Sequence, residues 1–210
     1  MAELLAMPGV TERVVLASRV GLLAFHGGLE GGTETVAEAV AEVSGASLYT
    51  IVQPPDVRWH LPSHVVGAEA SPGLRCFLDH IDVAVAVHGY GGLGTTNHLY
   101  LGGLNRDLAA RLGGKLRAQL PDWQVVDRLE AVPVAKRGVH PDNPVNRCRG
   151  RGVQLELPAP LRGSSGRWVD PNLDCRPAPG LVRALVEFAV ELGGVPSGAA
   201  SGQNRGPWPA

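Results

Sequence analysis

The chain has 210 residues, of which 44% are hydrophobic, so it can bury one sizeable core and has a globular rather than a disordered composition. Its formal net charge of -1 argues against a general surface for nucleic acid or anionic membranes. Every apolar stretch falls short of the roughly 18 residues that a membrane-spanning helix needs, so we expect no membrane partner.

Short apolar runs bounded by glycine or proline alternate with segments of helical periodicity. Such short runs are typical of buried strands in a largely parallel sheet, whereas apolar residues at i, i+4 and i+7 indicate helices. In chain order, we predict strands over residues 20–25, 46–52, 82–87, 97–101, 123–126 and 152–157, and helices over residues 33–45, 71–80, 105–120 and 181–192.

Three of these helices carry capping signals near their starts. Thr35 and Glu38 have the spacing of a capping box. Ser71 precedes a proline at the favoured first helical position, and Asn105 or its neighbour suits the N-cap of the next helix.

Strands that alternate with helices favour a single α/β domain over residues 1–193, with a mixed, largely parallel sheet and helices on both faces. Residues 129–151 are rich in proline, glycine and arginine, and we predict a structured loop there. Residues 194–210 have low complexity, which predicts a disordered tail.

Two of the predicted strands end in a histidine followed by glycine. His26 follows the first strand, with Glu30 in the glycine-rich segment after it, and His88 follows the third. Ligands bind beyond the carboxyl ends of strands in open α/β sheets, and catalytic zinc sites use three such protein ligands. These residues therefore predict a metal site, although each could separately be a core imidazole or a solvated carboxylate.

Glu156 is the candidate general base, because a zinc hydrolase needs a carboxylate that accepts a proton from the attacking water. It lies in an otherwise apolar strand, where a charge is costly unless it is paired or functional. Gln154, two residues earlier, points to the same face of the predicted strand as Glu156. A polar face on a solvent-facing edge strand therefore explains the pattern equally well.

Arginines near these segments are candidates for binding anions. Arg147 suits a substrate carboxylate or a developing oxyanion through a two-pronged contact. Arg106 could do the same, although an ordinary charge at a helix start is the simpler interpretation. Among the other histidines, His60 and His64 are four residues apart, but Pro62 between them argues against a helical metal site.

Five segments occur in an order that resembles one protein family. They are residues 26–34 (HGGLEGGTE), 87–90 (VHGY), 101–105 (LGGLN), 141–148 (PDNPVNRC) and 152–157 (GVQLEL). Together they span most of residues 20–192, and the set resembles the bacteriophage-type poly-γ-glutamate hydrolases, whose fold is similar to that of zinc carboxypeptidases.

The resemblance implies a zinc enzyme that cleaves γ-glutamyl amide bonds, with Zn²⁺ held by His26, Glu30 and His88 and with Glu156 as the general base. In the family's first motif the histidine and glutamate are one residue further apart, so Glu34 is the alternative carboxylate ligand. Arg147 is the expected oxyanion-stabilising catalytic residue. The expected substrate-binding residues are Asn105, Arg106, Asn146, His60 and Tyr90.

The implied substrate is a polyanionic γ-glutamyl polymer, for which a basic groove is expected. The cations Lys136, Arg137, Arg147, Arg149 and Arg151 could form such a patch, or they could lie on a solvated loop. Two other functions stay open. One is a zinc amidase or carboxypeptidase that acts on small γ-glutamyl or acylated amino acids, and the other is a catalytically inactive, polymer-binding α/β domain.

The location of the protein is expected to be cytoplasmic, with release by lysis also compatible. The first residues lack a basic segment followed by an apolar one, which is the pattern of a secretory signal. The three cysteines are widely spaced and form no C-x-x-C pair, so reduced thiols are expected.

Overall fold

A computed structural model of the protein describes residues 1–91, 97–163 and 176–193. The strands in this part of the chain are β1 (Thr11–Val15), β2 (Val20–Gly27), β3 (Ser47–Val52), β4 (Val83–Tyr90), β5 (His98–Leu101), β6 (Gln124–Val126) and β7 (Gly152–Pro158). The α-helices are α1 (Ala2–Leu5), α2 (Thr33–Ser44), α3 (Pro72–His80), α4 (Arg106–Gln119) and α5 (Pro179–Gly193).

The strands form one mixed sheet in the order β1-β3-β2-β4-β7-β5-β6. Strands β3, β2, β4 and β7 are mutually parallel, β1 and β5 pair antiparallel with β3 and β7, and β5 pairs parallel with β6. The predicted α/β fold with a largely parallel sheet is therefore confirmed. The central strands β2 and β4 are almost continuous apolar runs because both of their faces are covered.

Helices cover both faces of the sheet, as predicted. On one face, Val20, Leu22 and Ala24 of β2 pack in a core with α2, α4 and α5. On the other face, Leu23 and Phe25 pack in a second core with α1 and α3. Because successive side chains of a strand point to opposite faces of the sheet, β2 contributes to both cores.

The helix starts agree with the sequence at two of three positions. The Ser71 side chain accepts a hydrogen bond from Leu74 N, and Asn105 accepts one from Leu108 N, so both predicted caps are confirmed. The predicted capping box is wrong, because α2 begins at Thr33 and Gly32 is its N-cap. Gly32 has a φ of 86°, and a Cβ there would lie 2.3 Å from the Arg162 carbonyl oxygen.

Two elements have no counterpart in the predicted order, namely α1 and the edge strand β1. Strand β1 is mostly exposed, so its sequence lacks the apolar run by which the central strands were recognised. Cys76 and Cys148 are free thiols, and Cys175 and the predicted tail lie outside the described residues. None of the described helices is long and apolar enough to cross a membrane.

Asn105 allows a stability test of the loop that precedes α4. Its Oδ1 accepts the hydrogen bond from Leu108 N at 3.0 Å, and its Nδ2 donates to Gly150 O at 2.7 Å. We expect Asn105→Ala to lower the free energy of unfolding by about 1–3 kcal/mol, because it removes both the cap and this second bond.

Urea denaturation would measure the loss. Asn105→Asp keeps an acceptor for the cap and loses only the donor to Gly150, so its stability should lie between those of the wild type and the alanine variant. If the alanine variant unfolds at the wild-type urea midpoint, the two hydrogen bonds of Asn105 do not stabilise the fold as expected.

Candidate active site

A cavity of about 590 Å³ lies beyond the carboxyl ends of the central parallel strands. Strands β2 and β4 carry His26 and His88 near their carboxyl ends, and the register of β4 with β7 places His88 beside Glu156. Glu30 follows β2 in a tight turn in which its backbone N–H donates to His26 O at 2.8 Å. The parallel register therefore brings together four residues from three segments that are far apart in the sequence.

The carboxylate of Glu30 lies between the two imidazoles. Its Oε1 is 2.9 Å from His26 Nδ1, and its Oε2 is 3.5 Å from His88 Nδ1. One ligand atom from each residue lies within 4.8 Å of the others, so the three side chains form a candidate metal site. Glu34 is not part of this group, and Glu30 provides the carboxylate despite the short spacing from His26.

The hydrogen bonds of His26 fix which ring nitrogen faces the site. Its Nε2 lies 2.8 Å from Leu61 O, and a carbonyl oxygen can only accept, so Nε2 carries a proton. Nδ1 is therefore the atom that is directed at the carboxylate. A backbone carbonyl that orients the outer nitrogen of a histidine is a common feature of metal sites.

Charge pairing dominates the electrostatics of the three residues. Burial alone would raise the pKa of the Glu30 carboxyl, but hydrogen bonds with His26 and His88 outweigh it and hold that pKa well below its usual range. Burial would lower the pKa of His88, yet the hydrogen bond to Glu30 and its charge raise it. The site thus favours an anionic Glu30 carboxylate between the two imidazole rings.

Arg162 holds the Glu30 turn against the ends of the strands, a role that the sequence did not reveal. Its guanidinium is buried and donates to the carbonyl oxygens of Glu30 at 2.6 Å and Leu157 at 3.2 Å, and also to that of Gly31. Gly89 N donates to Glu30 Oε2 at 2.8 Å. The turn that carries Glu30 is therefore held by hydrogen bonds both to its backbone and to the Glu30 side chain.

Glu156 is buried and is oriented by a polar chain. Asn143 Nδ2 donates to Gln154 Oε1 at 2.8 Å, and Gln154 Nε2 donates to Glu156 Oε1 at 2.8 Å. Strand β7 lies between β4 and β5, so the alternative of a solvent-facing edge strand is wrong. The shared parity of Gln154 and Glu156 instead indicates a buried donor that orients a carboxylate.

Lys136 reaches the other oxygen of this carboxylate. Its Nζ lies 3.9 Å from Glu156 Oε2 and 3.7 Å from the centroid of the Tyr90 ring. Burial lowers the pKa of Lys136, while the charges of Glu156 and Glu30 oppose that effect. In the sequence, Lys136 was only one member of a possible basic patch, and nothing in its spacing distinguished it.

His60 and Tyr90, which were predicted to bind substrate, do line the cavity. The His60 ring centroid is 4.6 Å from that of His26, and its Nε2 is 3.9 Å from Glu30 Oε1. His64 and His140 also line the cavity, with ring centroids 4.9 Å apart. The opening is therefore rich in histidine.

The other predicted substrate residues and Arg147 do not line the cavity within the described part of the chain. Asn146 accepts from Leu104 N and donates to the carbonyls of Gly138 and His140. Arg106 donates to backbone carbonyls at the start of α4, and Arg147 lies 3.8 Å from Glu69 in a half-exposed ion pair. These side chains contact the backbone or other surface groups.

Comparisons with known proteins show the family and the fold. The family model described as poly-gamma-glutamate hydrolase matches residues 4–165. The structure of a bacteriophage poly-gamma-glutamate hydrolase is 25% identical, with a TM-score of 0.73 over 90% of this chain and 93% of that one. No match was found among curated proteins.

Two further structures share the fold. The zinc-free apo form of YNDL is 22% identical, with a TM-score of 0.68 over 87% of this chain and 88% of that one. A Burkholderia mallei protein assigned as a carboxypeptidase is 15% identical, with a TM-score of 0.51 over 90% of this chain and 65% of that one. The architecture is thus carboxypeptidase-like.

The orientation of Glu156 allows a test that needs no substrate. Gln154→Leu removes the donor to Glu156 and the shorter of the two hydrogen bonds that the Asn143 amide donates. Because both partners are buried, we expect the free energy of unfolding to fall by about 1–3 kcal/mol in urea denaturation. Gln124→Leu, at an exposed position on β6, is the matched control and should change it by less than about 0.5 kcal/mol. Equal effects of the two substitutions would contradict the buried network.

Proposed function

We propose that this chain, which belongs to the poly-gamma-glutamate hydrolase family, is a zinc-dependent hydrolase that cleaves the γ-glutamyl amide bonds of poly-γ-glutamate. The observation that carries the proposal is the convergence of His26, Glu30 and His88 with the buried Glu156 on one cavity. Family membership supports the hydrolase class and the polymer as substrate.

The donor set fits zinc. Two imidazole nitrogens and one carboxylate are the three protein ligands of many catalytic zinc sites, which keep a further position open. His26, Glu30 and His88 would hold the ion, and the Leu61 carbonyl already orients His26 for this role. When bound, zinc would polarise the substrate carbonyl and lower the pKa of water.

Glu156 is the proton carrier in this proposal. Its Oε1 is held by Gln154, so Oε2 is the oxygen that accepts a proton from the attacking water. As the new C–O bond forms and the C–N bond breaks, the same carboxyl group delivers that proton to the leaving amine. A fixed orientation matters because proton transfer requires hydrogen-bond distance between the base and the water.

The size of the substrate separates this proposal from a zinc amidase or carboxypeptidase on small γ-glutamyl compounds. A cavity of about 590 Å³ holds only a short part of a chain, so the polymer would extend past the histidine-rich opening. Digestion of defined poly-γ-glutamate should release oligomers faster than γ-glutamyl dipeptides are cleaved. The reverse order would favour the small-substrate enzyme, and cleavage of neither substrate would favour an inactive polymer-binding domain.

Glu156→Gln should separate metal binding from catalysis. The amide keeps the size of the side chain but cannot accept the proton, so we expect kcat to fall by roughly 100- to 10,000-fold. The zinc content should stay at the wild-type level, as measured by elemental analysis of the dialysed protein. Full activity of this variant would exclude the assigned role.

His88→Ala should lose zinc and activity together, because the remaining two ligands bind the ion weakly. Metal analysis after dialysis, with turnover measured on the same sample, tests this. His80→Ala is the matched control, since His80 hydrogen-bonds to Ala17 O outside the cavity, and it should keep both properties. Retention of zinc by His88→Ala with a folded circular dichroism spectrum would contradict the ligand set.

A further inference from the structure

The cavity is lined by one lysine or arginine side chain among the residues that the structure describes. Lys136 lines it, and the described arginines do not. The chain has only two lysines, and the other, Lys115, lies on α4 with its Nζ 2.7 Å from Glu191 Oε2. A polyanionic substrate that enters this cavity therefore meets one lysine, beside Glu156, in addition to the histidines and the proposed metal site.

The ammonium group of Lys136 has unused hydrogen-bonding capacity. Its side chain is only 23% exposed, and within the described residues Nζ makes no hydrogen bond. The nearby groups are the Tyr90 ring, at 3.7 Å from its centroid, and Glu156 Oε2 at 3.9 Å. An ammonium carries three donors, so the group is positioned to accept an anion from the cavity.

The backbone around Lys136 is held by a hydrogen bond and a close approach to the Gly102–Gly103 segment. Residues Val134–Lys136 form a 3-10 turn, after which Gly103 N donates to Arg137 O at 2.7 Å. A Cβ at Gly102 would lie 2.2 Å from the Arg137 carbonyl oxygen, so only glycine permits this close approach. The Gly-Gly pair after β5 thus places the lysine, and preorganisation of this kind lowers the entropic cost of binding.

The chemistry of a γ-linked chain fits this cation. Each γ-amide bond is flanked by free α-carboxylates that lie only a few bonds from the scissile carbonyl carbon. Arg147, the cation that the sequence favoured for such a group, lies 3.8 Å from Glu69 outside the cavity. Lys136 is close enough to Glu156 to reach a carboxylate next to the reacting bond.

We propose that Lys136 binds an α-carboxylate adjacent to the scissile bond and thereby selects γ-linked glutamate chains. The inference rests on the proposed function for the identity of the substrate. It assigns Lys136 to substrate recognition, with proton transfer left to Glu156.

Binding experiments test the assignment without turnover. In the zinc-loaded Glu156→Gln background, calorimetry would compare Lys136→Gln, Lys136→Arg and Lys115→Gln with the parent. The probes are a γ-linked glutamate oligomer and the same oligomer with its α-carboxylates converted to carboxamides. Lys136→Gln should raise the Kd of the carboxylate oligomer by roughly 10- to 100-fold and leave that of the amidated oligomer unchanged.

The control variants define the alternatives. Lys136→Arg should restore most of the affinity, and Lys115→Gln should bind like the parent. Equal losses on both oligomers, or no loss on either, would overturn the proposal. In the active enzyme, a fall in kcat with unchanged KM would overturn it as well, because it would assign Lys136 to the oxyanion.

Failure of the proposed function has a different signature. If the wild type loaded with zinc does not cleave the oligomer, the hydrolase assignment is wrong. The dependence of Kd on Lys136 and on the α-carboxylates would still stand in that case. Circular dichroism and urea denaturation of Lys136→Gln would verify that the variant is folded.

Discussion

Two largely desolvated carboxylates beyond and at the ends of central strands, Glu30 in the turn after β2 and Glu156 in β7, determine how the surrounding chain is arranged. A buried charge is costly unless it is paired and hydrogen-bonded, so Glu30 and Glu156 each require several partners. Glu30 has His26, His88 and the backbone N–H of Gly89, whereas Glu156 has Gln154 and the ammonium group of Lys136. The loops around the cavity supply these partners, and their positions follow from that requirement.

The loops around the cavity are held mainly by hydrogen bonds between buried side chains and the backbone. Asn146 joins the Gly138 and His140 carbonyls to Leu104 N, and Arg162 joins the turn after His26 to the end of β7. Buried polar side chains of this kind satisfy backbone groups that irregular segments would otherwise leave unpaired. The walls of the cavity are therefore extensively hydrogen-bonded although few of them are regular structure, and such anchoring favours a preorganised site.

A near-neutral chain can serve a polyanionic substrate if its cations are placed locally. Ion pairs with Glu69 and Asp82 offset Arg147 and Arg149, so the basic segment is not a continuous positive surface. Lys136 instead lies in a partly desolvated position, where a charge interacts more strongly than it does in water. Placement of one charge thus matters more here than the net charge of the protein.

The sequence by itself determined the α/β class, the central strands and most helices, and it singled out His26, Glu30, His88 and Glu156 as candidate site residues. These features follow from short apolar runs that are interrupted or followed by polar residues and glycine, and such patterns are visible within a few neighbouring residues of the sequence. Only the tertiary structure decided the role of Gln154, the placement of Lys136 in the cavity and the location of Arg147 outside it. Those outcomes depend on how residues 129–151 pack against β5 and β7, and that segment has no periodicity from which its path could be predicted.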